Sequence, residues 1–174
     1  VGAPNFSPGL SDSDDSLMRK VVSILSSMKA LNPSIRQMES ADAILILGED
    51  VADTAPRIAL ALRQAVRNKS FSMAKEAGIP VWQDAAVRTL GQDVLSPLVL
   101  VTSSSSRLDS VAEHVLTLKP DAIADFAHAL SNRLNGEDTQ DEEVRKVAEI
   151  LLQSDRPLIL SGTSSANQNI LQRA

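Results

Sequence analysis

Ala43-Ile44-Leu45-Ile46-Leu47-Gly48 is the stretch on which the reading of the fold turns. Its apolar residues run without polar alternation and stop at a glycine, which is the pattern of a short strand covered on both faces. Strands of that kind belong to parallel sheets flanked by helices. Downstream, Thr54 is placed to cap a helix with Pro56 in its first turn and Ile58, Leu62, Ala65 and Val66 on one face. The unit is therefore strand, glycine turn, helix.

Working outward, Leu98-Val99-Leu100-Val101 behind Pro97 reads as a second buried strand, and Ile79-Pro80-Val81-Trp82 as a short one. Residues 84–91 suit a short helix, and Ser103 to Ser106 a polar loop. Residues 111–118 end in strand character, and Asp121 opens a helix carrying Ile123, Phe126, Ala127, Leu130 and Leu134. Before the deciding strand, residues 1–12 have loop or edge chemistry. Leu17, Val21, Ile24, Leu25, Met28 and Leu31 then recur at helical spacing behind a cap at Ser13 or a neighbouring Asp, facing a core until Pro33. Asn135-Gly136-Glu137-Asp138 is the clearest break. After it come a helix with Val144, Val147, Ala148, Leu151 and Leu152, and the strand Leu158-Ile159-Leu160 ending at Gly162, 114 positions after Gly48. The fold class is thus α/β, with a Rossmann-like parallel sheet. Two organisations fit: a lobe over 1–138 followed by the truncated start of another over 139–174, or one domain.

With 174 residues, 43% hydrophobic, the chain is long enough to bury a core unaided. It has no cysteine, which excludes disulfides, thiolate metal sites and cysteine-held clusters within it. The net charge of −5, the absence of a basic run and 2% aromatics argue against nucleic acid as a partner. No apolar run reaches the roughly 20 residues of a membrane span, so direct membrane insertion is not expected. The opening at Val1 and the close at Leu171-Gln172-Arg173-Ala174 in mid-pattern read as an excised fragment.

In open parallel sheets ligands bind at the carboxyl ends of strands, which marks Gly48-Glu49-Asp50 and Gly162-Thr163-Ser164-Ser165. An acid there can accept a ribose hydroxyl, and the second turn can offer N–H groups to a phosphate. The same glycines also serve as turns, with Thr54 and Ser165 as helix caps. No G-x-G-x-x-G, P-loop or G-x-S-x-G pattern occurs, so no catalytic residue is assigned. His114 and His128 are not at metal-ligand spacing and read as structural or solvent-facing. The acids Asp12, Asp14, Asp15, Glu137, Asp138, Asp141, Glu142 and Glu143 suit helix N-termini, and Trp82 and Phe126 suit a core.

ADAILILGEDVADTAPRIALALRQAVRNK, with RPLILSGTSS, TSSSSRLDSVAEHVLTLKPDAIADFAHAL and VGAPNFS, resembles the family of the large iron-sulfur subunit of bacterial NADH-quinone oxidoreductase, respiratory complex I. The resemblance implies an internal, molybdopterin-oxidoreductase-like lobe, with the iron-sulfur clusters in the upstream part of the parent. It implies no cofactor or metal here, inactivity of the isolated segment, and other complex I subunits as partners. It further implies a peripheral place on the cytoplasmic side of the bacterial inner membrane. Where molybdopterin enzymes carry G-x-N-P, this sequence has Gly48-Glu49-Asp50-Val51, and where they carry Pro-Gly-Thr-Asp it has Pro120-Asp121. The slot for the pterin nucleotide formed by Gly48, Glu49, Asp50, Pro120 and Asp121 thus reads as degenerate. The alternative is a free-standing α/β protein that binds a nucleotide or phosphate at Gly48 or Gly162.

Overall fold

The computed structural model describes residues 9–27, 32–92 and 94–173. Its centre is β1 (Ala43–Leu47), flanked by β2 (Leu98–Thr102) on one side and β4 (Pro157–Ser161) on the other, with β3 (His114–Thr117) outside β2. All pairings are parallel, with Leu47 level with Val101 and Ser161.

Every β1 side chain is buried. The period of two sends them to opposite sides. Ile44 and Ile46, with Leu98 and Leu100, meet α4 (Pro56–Ala65) through Ala59, Leu62 and Ala65, and Val51 at the start of α3 (Val51–Thr54). Leu45 and Leu47, with Val99 and Val101, meet α7 (Pro120–Leu134), α8 (Glu142–Leu152) and Ile170 of α9 (Gln168–Arg173). Each such side chain contributes roughly 1.5–3 kcal/mol by leaving water, so this short strand anchors both layers.

β4 corrects the two-lobe organisation. Ala43 to Leu47 pair with Pro157 to Ser161, and Val144, Val147, Ala148 and Leu151 share a core with α7. Asp42 fixes the junction, its carboxylate accepting N–H bonds from Asp155 and Arg156 at 2.9 Å each. Residues from 139 onward therefore complete the sheet begun earlier, and the 114-residue spacing is the length of the intervening crossovers.

The first helix, α1 (Asp12–Ser26), is capped by Ser11, whose hydroxyl accepts from Asp14 N, and not by Ser13 or an Asp. Its stripe is only partly core: Leu17 is buried, Val21 and Ile24 are half-buried and Leu25 is exposed. Met28, Leu31 and residues 1–8 lie outside the described residues. A short α2 (Ile35–Met38) follows, closed by a capping box between Ser34 and Gln37.

Residues 79–82 are not a strand. α5 (Asn68–Glu76) ends in a Schellman stop, with Gly78 at φ +70° and Ile79 N–H closing onto Ala74 O at 2.8 Å. Pro80 then opens a turn closed by Gln83 N–H onto Pro80 O, leading into α6 (Asp84–Gly91). Trp82 stands on that turn 78% exposed, so it is surface and not core, whereas Phe126 is buried.

Candidate functional site

The carboxyl ends of the strands gather four turns on one edge of the sheet: residues 48–50, 103–106, 118–121 and 162–167. Gly48 follows β1 at φ +65°, its N–H donating to Val101 O at 2.8 Å, and a side chain there would meet Ile170 Cδ1 and Ser165 Oγ at 3.1 Å. Glycine is required by both the left-handed backbone and the close approach of α9.

Glu49 reaches across to the turn after β4. Its carboxylate accepts from Ser164 N–H at 3.1 Å, from the Ser164 hydroxyl, and from the Thr54 hydroxyl at 2.8 Å. A Cβ on Gly162 would come within 1.9 Å of Glu49 Oε2, so Gly162 is the floor on which this carboxylate rests. Asp50 faces the other way. It caps α3 by accepting from Ala52 N–H at 3.1 Å and takes the Ser106 hydroxyl at 2.8 Å, joining the turns after β1 and β2. Pro120 is at the start of α7, and exposed Asp121 accepts from Asn167 Nδ2 at 3.3 Å.

The structure thus brings Gly48, Glu49, Asp50, Pro120, Asp121 and the Gly162 turn to one edge. Their polar groups are tied mostly to one another. Thr54 lies inside α3 and holds Glu49, so it does not cap α4, whose N-cap Ala55 makes no side-chain bond. Ser165 caps nothing either: its hydroxyl is buried without a hydrogen-bond partner, and Asn167 takes the N–H of Asn169 at 2.9 Å instead. Ser164, Ser106 and Asn167 hold the acids, a role that sequence reasoning misses. Their only trace in the sequence is that each lies in a polar turn behind a buried strand.

Charge at this edge is acidic, with Glu49, Asp50, Asp53 and Asp121 against Arg107, which lies 3.9 Å from Asp53. An incoming anion would meet like charge. Of the histidines, His128 is exposed, and His114 on β3 is half-buried against the Glu143 carboxylate of α8. No group of three or more His, Cys, Asp or Glu able to hold a metal ion occurs among the described residues.

Fold and site together define a Rossmann-like α/β unit whose ligand edge is cross-linked by its own side chains. No protein-family profile matches the chain. By sequence it is homologous, from end to end, to a stretch of the NADH-quinone oxidoreductase subunit designated G, a component of respiratory complex I. It is 36% identical over 182 residues to that subunit from Pseudomonas fluorescens, 37% over 183 to that from Shewanella oneidensis and 33% over 182 to that from Escherichia coli K12. In each case all of the chain is matched, and it spans 20% of the relative's length. No helix among the described residues is long and apolar enough to cross a membrane.

Proposed function

We propose that this chain is a non-catalytic structural lobe of an NADH-quinone oxidoreductase large iron-sulfur subunit, with a degenerate pterin-nucleotide slot at Gly48, Glu49, Asp50, Pro120 and Asp121. The observation that carries this reading is the seat of Glu49. An anionic nucleotide at this edge needs the free N–H groups of the Gly162 turn, and the Glu49 carboxylate already accepts the one from Ser164. A diphosphate would have to displace that carboxylate and sit beside Asp50. The residues present do not fit the group.

The parent's work follows from what its relatives are named: electrons pass from NADH to quinone in the whole complex. Iron-sulfur clusters, for which this cysteine-free chain has no thiolates, are held in the upstream part of the large subunit. Partners are then other subunits of the complex, and the place is peripheral, on the cytoplasmic side of the bacterial inner membrane. The isolated chain is inactive on this reading. A free-standing nucleotide- or phosphate-binding protein is the competing view, and the same Glu49 contacts speak against it.

Titration calorimetry of the purified chain with guanosine diphosphate, as probe for the nucleotide end of the pterin, and with NADH tests the reading. Neither should give a saturable heat. Saturable binding of guanosine diphosphate that is lost on Gly162→Ala would overturn it.

A further inference from the structure

The two outer strands of the sheet are finished differently. β3 is short, alternates half-buried and exposed side chains, and is bracketed by Glu113 and Lys119, features that protect an edge from further pairing. β4 has none of these charges. Leu158-Ile159-Leu160 runs along a groove of about 920 Å³ whose far walls include Val21 and Ile24 of α1, Met38, Ile58 and Leu171. Among the described residues no strand pairs with its outer side.

The path of the chain indicates what belongs there. From β3 it passes through α7 and α8, both on the Leu45 and Val99 face, and arrives at β4 on the opposite edge. Crossovers of one hand on one face travel in one direction. α9 leaves β4 on that same face, with Ile170 in the same core and its helix packed on α7. A further strand reached through α9 is therefore directed to the position just beyond β4. The complex I relatives have ample polypeptide to supply it, since this chain spans 20% of their length.

We propose that the groove beside β4 is the seat of a further parallel strand, and that its occupant is the segment following the counterpart of α9 in the longer polypeptide of those relatives. Its backbone would pair with the free edge of β4, and its alternate apolar side chains would fill the groove toward Val21 and Ile24 and toward Leu171. β4 is five residues long, about 16 Å at the usual rise, so a strand of similar length suffices.

The test joins to this chain about 25 residues that follow the matched stretch in the Pseudomonas fluorescens relative, enough for the end of a helix, a turn and a strand. Amide hydrogen exchange at 157–161 should slow at least tenfold relative to the unextended chain, and Ile24→Glu should abolish that gain. Ile24 is half-buried, so the unextended variant should keep the parent's denaturation midpoint. As a second measurement, the same segment as a fluorescent peptide should bind the unextended chain saturably, and the Ile24→Glu variant should not bind it. Unchanged exchange at β4 with no saturable peptide binding overturns the proposal. So does protection gained at 114–117 instead, or protection of β4 that rises with chain concentration alone, which would make the occupant a second copy.

Discussion

The Glu49 carboxylate occupies the space that a side chain on Gly162 would need, with Oε2 only 1.9 Å from where that Cβ would stand. The acid and the glycine are therefore one device. Gly162→Ala should cost about 1–2 kcal/mol, because it pushes the carboxylate off the Ser164 and Thr54 donors. In a Glu49→Ala background the same change should cost less than half as much, and urea midpoints of the four proteins in the cycle measure the difference.

Gly48 and Asp50 should respond unequally to substitution. Gly48→Val forces a β-branched residue to φ +65° against Ile170 and should destabilise by about 1–3 kcal/mol. Asp50→Asn keeps an acceptor for Ala52 N–H and the Ser106 hydroxyl and should be nearly silent, while Asp50→Ala, which removes the cap, should cost about 1 kcal/mol. Chemical denaturation of the three variants checks the order.

The α5–α6 pair carries a pH-dependent clip. Asp84 accepts a hydrogen bond from Arg67 at 2.9 Å, which chiefly holds its carboxyl below the ordinary range, and the charge of Arg88 adds to this. Because the folded value lies below the unfolded one of about 3.9, the contribution is complete above that pH. It is lost as pH falls through the folded value. The midpoint difference between the parent and Asp84→Asn should be constant from pH 7 to 5 and shrink below about pH 4.

Trp82, the one tryptophan, reports on the surface. Its emission should resemble that of a solvated indole, shift little on unfolding and be quenched readily by acrylamide. Trp82→Ala should change stability by no more than about 0.5 kcal/mol.

That residue also marks where sequence reading ends. The buried strands at 43–47, 98–102 and 157–161 are legible because continuous apolar runs behind turn residues have few other uses. Val81-Trp82 looks like such a run, yet the Schellman stop at Gly78 and the turn at Pro80 leave it no neighbouring strand. The edge position of the site is legible from topology alone. The contacts that fill it are not, since Glu49 meets Ser164 across 115 positions and no local pattern encodes that encounter. The place of β4 is hidden for the same reason: a helix and a strand after a Gly-Asp break fit a new lobe as well as the last strand of an old one.

The pairing of Leu47 with Ser161 has a consequence for how the molecule is made. On a ribosome adding about 5–20 residues per second, the 114 positions between them take about 6 to 23 s to synthesise. Throughout that interval β1 has a partner on one side only, and its other edge, with the acceptor Asp42 beside it, waits unpaired in the nascent chain. The most buried strand of the finished protein is thus the one exposed longest to wrong partners during translation, and slowing synthesis between codons 103 and 157 should lower soluble yield more than slowing it after codon 161.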